Sequence, residues 1–312
     1  MSKAVLNPFF NHDLISTKEM TLEMIQLILK TTDQLKNSKR AVETIAGKVV
    51  ASCFFEPSTR TRLSFESAAL RMGARVIGFS GDQALSMQKG ETLADTMRVI
   101  DGFADLIIIR HPEEGAARLT AEIVACPVVN GGDGANQHPT QALVDLYAIH
   151  ACQKKLDGLS MALVGDLKYG RTIHSLLDLC AFFDIRLYFV SPELLSLSES
   201  VCDILKKRGV RFSCHRTIEE VIPKIDILYM TRIQKERFSP TDYELVKNQF
   251  ILIPDLFKQA KDNLRVLHPL PRVNEITREV DKTPYAYYFE QAHHGVFVRQ
   301  AILTLMLNEV LP

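Results

Sequence analysis

One short segment of the sequence concentrates hydroxyl and guanidinium groups at the start of a predicted helix. Residues 54–66 read FFEPSTRTRLSFE, where an apolar strand ends, Pro57 interrupts it, and residues 58–62 (STRTR) lead into the helix. The first turn of a helix has N–H groups without intrahelical partners and carries the positive end of the helix dipole. Hydroxyl and guanidinium donors beside that turn would complete a pocket for a phosphate. The alternative is an ordinary helix start, with Ser58 or Thr59 as the capping residue and two solvated arginines.

Three later segments place further polar groups next to predicted helices or strands. Residues 86–92 (SMQKGET) carry one lysine before a helix, a pattern that is also typical of a solvated turn. Arg110 ends the apolar run LIIIR, the position at which open α/β sheets bind ligands, although an exposed charge there is equally common. In residues 136–141 (NQHPTQ), His138 could polarise a carbonyl group or move a proton, and Gln141 could bind an amide edge. A purely structural histidine is the alternative.

The second half of the chain offers two arginines and a rigid turn. Residues 165–172 (GDLKYGRT) resemble the phosphate loop G-x-x-x-x-G-K-[ST], but Arg171 stands where that loop requires lysine. Arginine suits a planar carboxylate better, so a P-loop NTPase remains only as an alternative. Arg232, in residues 230–237 (MTRIQKER), also follows a strand, and the two arginines could each bind one carboxylate of a dicarboxylic acid. The turn 268–272 (HPLPR) keeps carbonyl groups that could accept hydrogen bonds from an –NH₂ group.

The composition limits the partners that this chain can have. Its 37 basic and 37 acidic residues cancel, and the sequence pI of about 7.1 provides no field for nucleic acid or for an anionic membrane. Any anion must therefore be bound by a local cluster. No stretch approaches the ~20 apolar residues of a membrane span, and the N-terminus lacks the apolar core of a signal peptide. The six scattered cysteines indicate buried thiols of a reducing compartment, so we predict a soluble, cytoplasmic protein.

The pattern of elements predicts parallel sheets, because short apolar runs alternate with longer amphipathic ones. Predicted strands cover residues 48–55, 75–79, 106–110, 127–130, 161–165, 186–190, 225–229, 250–254 and 265–267. Predicted helices cover residues 62–72, 92–103, 115–124, 140–151, 171–183, 193–208, 241–247 and 295–310. The predicted fold class is α/β, with two doubly wound parallel-sheet domains and a cleft between them. The best boundary is the helix that begins at residue 140.

Taken in chain order, seven motifs resemble those of the carbamoyltransferases. They are S-T-R-T-R, S-x-x-K-G-E-T, R-H-P, H-P-T-Q, G-R-T, T-R-x-Q-x-E-R and H-P-L-P, and the match runs from about residue 7 to the C-terminus. The last two motifs are similar to the aspartate branch, because the ornithine branch has H-C-L-P at that turn. The resemblance implies transfer of the carbamoyl group of carbamoyl phosphate to the α-amine of L-aspartate, giving N-carbamoyl-L-aspartate and phosphate for pyrimidine biosynthesis. It implies no cofactor and no metal.

The resemblance also implies that the two domains bind different substrates. Residues 1–139 with 291–312 would bind carbamoyl phosphate, and residues 140–290 would bind aspartate. The carbamoyl phosphate site would comprise Ser58, Thr59, Arg60, Thr61, Ser86, Arg110, His138, Gln141, Pro269 and Leu270. The aspartate site would comprise Lys89, Arg171, Arg232, Gln234 and Leu270. The groups expected to act in catalysis are Arg60, Thr61, Lys89, Arg110 and His138.

Partners follow from the same resemblance. Ser86 and Lys89 would enter the site of a neighbouring subunit, so the enzyme would be a homotrimer with shared active sites. Residues 113–119 (EEGAARL) resemble the bacterial class whose trimers dock onto separate zinc-containing regulatory chains. No role maps to His293 or His294. Two alternatives stay open: a carbamoyltransferase for another amino acid such as ornithine, and a non-catalytic phosphate-binding protein on the same fold.

Overall fold

The computed structural model of the chain describes residues 7–38, 43–81, 90–233 and 249–310. The chain forms two compact units, which are treated separately below. Unit 1 comprises Met1–Leu143 and His294–Pro312, and unit 2 comprises Val144–His293. The functional domain limits expected from the sequence, after residues 139 and 290, remain a prediction.

The sheet of unit 1 has four parallel strands in the order β2-β1-β3-β4 within the described residues. These strands are β1 (Val49–Phe54), β2 (Arg75–Ser80), β3 (Leu106–His111) and β4 (Val128–Asp133). The helices that begin in this part of the chain are α1 (Leu22–Asn37), α2 (Thr59–Arg71), α3 (Leu93–Asp101), α4 (Ala116–Ile123) and α5 (Pro139–Gln153). Apolar side chains of β1 and β3, Ala51, Cys53, Ile107 and Ile109, form the core with Met97 of α3 and Ala117 of α4.

Unit 2 contains a second parallel sheet, with five described strands in the order β7-β6-β5-β8-β9. They are β5 (Leu159–Val164), β6 (Ile185–Val190), β7 (Phe212–His215), β8 (Ile227–Met230) and β9 (Arg265–Leu267). The remaining α-helices are α6 (Arg171–Cys180), α7 (Glu199–Lys207) and α8 (Tyr288–Leu307), and 3₁₀ turns occupy Thr17–Glu19, Glu193–Leu195, Pro254–Gln259 and Arg278–Lys282. Strands such as β5 (LSMALV) are almost wholly buried, as expected when helices cover both faces.

Each sheet contains a point at which the strand order reverses. In unit 1 the chain runs from β1 outward to β2 and then adds β3 on the other side of β1. In unit 2 it runs from β5 outward through β6 and β7 and then adds β8 on the other side of β5. Ligands of open α/β sheets bind outside the carboxyl ends of the strands at such a reversal. Residues 58–61 and Arg110 in unit 1, and Arg171 and Arg232 in unit 2, lie at the ends of the strands that meet there or follow them.

The predicted class of two doubly wound parallel α/β sheets is confirmed, and the differences from prediction are local. The strand predicted at 250–254 is wrong: Leu252 makes only a single bridge to Ile276, and Pro254 then begins a 3₁₀ turn. The helix predicted at 193–208 is interrupted, because Ser198 caps a new helix by accepting a hydrogen bond from the Val201 N–H at 3.4 Å. Helix α1 and the edge strand β7 had no sequence prediction. The predicted helix at 241–247 lies outside the described residues.

All six cysteines lie in the described part of the chain and are free thiols. Burial raises the pKa of Cys53 in β1 and of Cys180 in α6 to about 12, so neither is a thiolate near neutral pH. Cys214, in the edge strand β7, is exposed.

Among the described residues, no helix is long and apolar enough to cross a membrane.

Candidate active site

The S-T-R-T-R segment forms the start of α2, directly after β1. Ser58 is the N-cap residue, with extended backbone angles, but its hydroxyl makes no capping hydrogen bond. The side-chain cap that the simpler interpretation requires is therefore absent at Ser58. Arg62 binds the carboxylate of Glu66, with Nε 2.7 Å from Oε1. Arg60 is exposed, and partial desolvation lowers the pKa of its guanidinium, which still remains charged at neutral pH.

Arg110 lies at the carboxyl end of β3, beside the end of β1. Its backbone carbonyl accepts a hydrogen bond from the Phe55 N–H at 2.8 Å, which joins the two strand ends. Its guanidinium Nη1 donates to the Gly131 carbonyl at 3.2 Å, and Nη2 lies 2.5 Å from the Glu56 carboxylate. Only 13% of the Arg110 side chain is exposed. A partly buried guanidinium at a strand-order reversal is well placed to bind an anion, in exchange for its internal carboxylate.

Thr61 and His138 are brought together by α2 and by the loop that follows β4. The Thr61 hydroxyl lies 3.5 Å from the Nε2 atom of His138, and both residues are buried. The carbonyl of His138 accepts hydrogen bonds from the N–H groups of Gln141 and Ala142, so the histidine directly precedes the first turn of α5. Pro139 begins that helix, a position that suits proline because the first helical N–H has no intrahelical partner. The Thr61 hydroxyl and the His138 imidazole, which can both donate hydrogen bonds, therefore lie next to each other in unit 1.

Asp133, which the sequence interpretation missed, fixes the loop that carries His138. Its buried carboxylate accepts four hydrogen bonds at 2.8–3.1 Å, from the side-chain amides of Asn130 and Asn136 and from the backbone N–H groups of Gly115 and Gln137. A buried carboxylate is tolerated when donors surround it in this way. The sequence shows only an acidic residue in the loop GGDGANQ, which does not distinguish a buried carboxylate from a solvated one.

The loop after β5 packs closely on the residue that follows β8. Gly165 has φ +115°, and a Cβ atom there would lie 2.5 Å from the Thr231 carbonyl oxygen. The Asp166 carboxylate is buried and accepts the Tyr169 N–H at 2.9 Å. Because an internal acid occupies this loop and uses one of its N–H groups, the geometry is unfavourable for the phosphate cradle of a P-loop.

The two arginines of unit 2 follow neighbouring strands. Arg171 is the first residue of α6, and Arg232 lies two residues beyond β8, whose last residue, Met230, pairs with Val164 of β5. Both arginines are half-buried. Gly170 is needed before Arg171, since a Cβ atom at that position would lie 2.6 Å from the Asp166 carbonyl oxygen. The arginines thus share the carboxyl edge of the sheet at its strand-order reversal, which is a suitable arrangement for an anionic ligand.

The turn after β9 is held by its first histidine. The Nδ1 atom of His268 accepts the Leu270 N–H at 2.7 Å, so Nε2 carries the proton and donates to the Glu275 carboxylate at 2.7 Å. Leu270 has φ +56°, a conformation that is rare for a residue other than glycine. Burial acts to raise the pKa of Glu275, but the hydrogen bond from His268, together with those from backbone N–H groups, lowers it overall. Arg272 is used internally, against Asp281 and Tyr288.

Several predicted site residues are described only in part or not at all. Ser86, Lys89 and Gln234 lie outside the described residues. Gln141 is half-buried at the start of α5, and its N–H donates to the His138 carbonyl at 3.1 Å. The described residues contain no group of three or more His, Cys, Asp or Glu side chains arranged to hold a metal ion.

Comparison with known proteins matches both halves of the chain to domains of a single family. Residues 12–151 match the family model for the carbamoyl-P binding domain of aspartate/ornithine carbamoyltransferases, and residues 157–306 match the Asp/Orn binding domain of the same family. The chain therefore belongs to the aspartate/ornithine carbamoyltransferase family. The aspartate carbamoyltransferase catalytic subunit of Vibrio campbellii is 54% identical over 308 residues, covering 98% of this chain and 99% of that protein. The Chromobacterium violaceum catalytic subunit is 50% identical, with 96% and 99% covered.

Solved structures agree with this assignment. Aspartate transcarbamoylase from Trypanosoma cruzi, in complex with carbamoyl phosphate and aspartate, is 34% identical with a TM-score of 0.91, covering 97% of this chain and 99% of that chain. The catalytic subunit of the M. jannaschii enzyme is 46% identical with a TM-score of 0.88, covering 95% and 97%.

Proposed function

We propose that this chain is an aspartate carbamoyltransferase, which joins the carbamoyl group of carbamoyl phosphate to the α-amine of L-aspartate and releases phosphate. Arginines at the carboxyl ends of adjacent strands carry the choice of acceptor. Arg171 and Arg232 follow β5 and β8 at the strand-order reversal of unit 2, where two guanidinium groups suit the two carboxylates of aspartate. A cationic side chain such as that of ornithine would be repelled there.

In unit 1 we assign the phosphate to Ser58, Thr59, Arg60, Thr61 and Arg110, with Ser86 as a further donor. The start of α2 contributes N–H groups and the positive end of its dipole, and Arg110 contributes a guanidinium. We assign the carbonyl oxygen of the carbamoyl group to Thr61, Arg110 and His138. We assign its –NH₂ group to Gln141 and to the carbonyls of Pro269 and Leu270. The acceptor would be bound by Lys89, Arg171, Arg232 and Gln234, with Leu270 alongside.

The chemistry then needs only positioning and electrostatic stabilisation. The neutral α-amine forms a C–N bond to the carbonyl carbon, and the electron pair of the C=O bond moves to oxygen and creates a tetrahedral oxyanion. The oxyanion collapses, the C–O bond to phosphate breaks, and the amine loses one proton, for which the departing phosphate is the proposed acceptor. Donors directed at such an oxyanion are typically worth ~10²–10³ in rate each. Fixing both substrates in line supplies another large factor.

The direct test measures ureido product from carbamoyl phosphate with L-aspartate and with L-ornithine in parallel assays without added metal. Turnover with aspartate alone is the expected result. Turnover with ornithine alone would retain the phosphate site but refute the role given to Arg171 and Arg232. Absence of turnover with both acceptors, in a chain that still binds phosphate, would favour a non-catalytic phosphate-binding protein.

We also propose a homotrimer in which Ser86 and Lys89 complete the site of a neighbouring subunit. Apolar side chains that a single chain leaves exposed on α2, β2 and α3 and just beyond α3 support an association through unit 1: Leu63, Leu70, Ile77, Val99 and Phe103. Sedimentation should give three times the 35.2 kDa of one chain. Mixed trimers of the inactive variants Lys89→Ala and His138→Ala should regain activity, because some sites then receive both intact residues. Mixtures that stay inactive would refute shared sites.

Two further proposals concern a partner chain and the cellular location. Residues 113–119 precede and begin α4, where Leu119 is 42% exposed, and we propose that they dock zinc-containing regulatory chains. Unchanged sedimentation after mixing with such a chain would remove this idea. We also propose a cytoplasmic location, which is supported by six free thiols in the described chain. Fractionation of the source cells tests it.

A further inference from the structure

A buried chain of hydrogen bonds in unit 2 begins at Asp145, in the middle of α5. Its side chain is completely buried, and its two carboxylate oxygens accept from different elements. Oδ2 accepts from the Tyr229 hydroxyl at 2.6 Å, and Oδ1 accepts from the Gln291 amide, also at 2.6 Å. Neither the motifs nor the reaction described above uses any of these three residues. A buried carboxylate is costly unless such donors satisfy it, so its presence calls for a reason other than packing.

One branch of the chain leads to the proposed acceptor site. Tyr229 lies in β8, three positions before Arg232. Thr172, the residue after Arg171 in the first turn of α6, has its side chain close enough to the phenol to act on the pKa of Tyr229. Burial, with the adjacent Asp145, raises the pKa of Tyr229 well above its usual value, so the phenol stays protonated and donates to Asp145. The Tyr229 hydroxyl thus links the two elements that carry the acceptor arginines.

The other branch leads to the turn after β9. The side-chain oxygen of Gln291, in α8, accepts the backbone N–H of His268 at 2.8 Å. His268 in turn holds the Leu270 N–H and the Glu275 carboxylate. The backbone of Leu270, with its positive φ, is therefore held by His268, and His268 is connected to Asp145 through Gln291.

We propose that Asp145, Tyr229 and Gln291 form a positioning network that sets the start of α6 and the turn at Leu270 in register for carbamoyl transfer. The proposal rests on the proposed function, since it gives the network the task of placing groups assigned to the two substrates. None of the three residues touches substrate. They act because reacting groups must be placed closely: a displacement of about 1 Å can lower a rate about 100-fold.

The test uses Tyr229→Phe, which removes the donor to Asp145, and Gln291→Met, which removes both the donor to Asp145 and the acceptor for the His268 N–H. Both substitutions keep the buried volume. Matched controls in the same unit are Tyr188→Phe in β6, whose hydroxyl accepts from Arg186, and Gln153→Met, whose amide donates to the Asp226 and Asn263 carbonyls. We expect kcat to fall about 10–100-fold in the two network variants and less than about 2-fold in the controls. The dissociation constant for inorganic phosphate should not change.

The double variant separates positioning from a general loss of stability. Because both residues act through Asp145, Tyr229→Phe/Gln291→Met should lose little more activity than the worse single variant. Additive losses, or losses that follow the melting temperature equally in network and control variants, would overturn the proposal.

A readout without turnover distinguishes failure of the network from failure of the proposed function. Hydrogen–deuterium exchange of a peptide spanning residues 265–275 should be faster in Tyr229→Phe than in the wild type and Tyr188→Phe. Exchange that is unchanged in Tyr229→Phe refutes the network whatever the enzyme catalyses. Faster exchange in Tyr229→Phe, combined with a wild-type chain that carbamoylates no aspartate, refutes the proposed function alone.

Discussion

Glu56 holds Arg110 at the point where β1 and β3 end, with carboxylate and guanidinium 2.5 Å apart. Both side chains are largely shielded from water, so the ion pair is stronger than an exposed one. Because Arg110 is assigned to the phosphate, an incoming phosphate and Glu56 compete for the same guanidinium. The ion pair therefore opposes anion binding in the unliganded chain.

The first prediction follows from this competition. Glu56→Gln should bind inorganic phosphate about 5-fold more tightly, since removal of the competing charge is worth about 1 kcal/mol. Isothermal titration calorimetry measures the change. Glu66→Gln, which breaks the Arg62 ion pair on α2, is the matched control and should leave phosphate affinity unaltered. Weaker binding by Glu56→Gln would show that the carboxylate supports the site rather than competing in it.

His138 should matter for the rate and less for binding. Its contact with Thr61 places it where the carbonyl oxygen is proposed to gain negative charge, so His138→Ala should lower kcat by about 10²–10³. The KM for aspartate should change much less, because the interaction strengthens as the oxyanion forms. Steady-state kinetics with both substrates varied make this measurement. His12→Ala, at an exposed ring packed on Phe9, serves as control; a similar loss there would point to an indirect effect.

Arg232 should distinguish the two substrates. Arg232→Ala removes a guanidinium assigned to an aspartate carboxylate, so the KM for aspartate should rise at least about 10-fold. The KM for carbamoyl phosphate should stay within about 2-fold of the wild-type value. Arg211→Ala, which breaks an exposed ion pair with Asp184, should change neither constant. Equal effects of Arg232→Ala on both substrates contradict the assignment.

The stability of unit 2 should fall in acid because of Asp226. Burial acts to raise the pKa of this carboxyl, but hydrogen bonds from Asn263, Lys261 and the Ser160 N–H lower it below 3.8 overall. The unfolded chain then takes up a proton at a higher pH than the folded chain. The stabilisation is complete well above pH 3.8 and is lost as the pH falls through the lower, folded-state pKa. Urea unfolding should become less pH-dependent below about pH 4 in Asp226→Asn but not in Asp203→Asn, whose carboxylate is exposed.

Gly165 should be less tolerant of a side chain than a surface glycine with a similar backbone. Gly165→Ala adds a Cβ atom 2.5 Å from the Thr231 carbonyl, whereas at Gly209, with φ +75°, a Cβ atom meets nothing within 4 Å. Both variants bear the strain of a positive φ, about 1 kcal/mol, and only the first must also displace the loop before Arg171. Gly165→Ala should therefore unfold at a lower temperature than Gly209→Ala and bind aspartate more weakly. Equal melting temperatures would contradict the close packing.

The sequence was informative where local chemistry decides the structure. Apolar runs that end in Arg110 or before Ser58 identified the strand ends, and the reversal of strand order then brought those ends together. The edge strand β7 (FSCH) was not predicted, because four residues of mixed polarity form no clear alternating pattern. Helix α1 was missed although Ile25, Ile28 and Leu29 lie on one buried face.

Contacts between distant residues could not be predicted from motifs. Asp145 and Gln291 lie 146 positions apart, and nothing in either local sequence indicates the other. No role mapped to the nearby His293 and His294, and Gln291 was not among the predicted site residues, yet its side chain accepts the N–H of His268. Asp133 shows the same limitation, because a buried acid and a solvated turn acid have the same sequence context. Such groups are recognised only when the fold supplies their donors.

The buried thiols give each unit its own reporter of opening. Cys53 lies inside the sheet of unit 1 and Cys180 in a helix of unit 2, and burial keeps both protonated and inaccessible while the unit is closed. An alkylating reagent can modify either thiol only after the surrounding structure opens. Mass spectrometry of the two cysteine peptides after timed labelling would give separate opening free energies for the two units of the wild-type chain. The exposed Cys214 would be the internal standard for reagent activity.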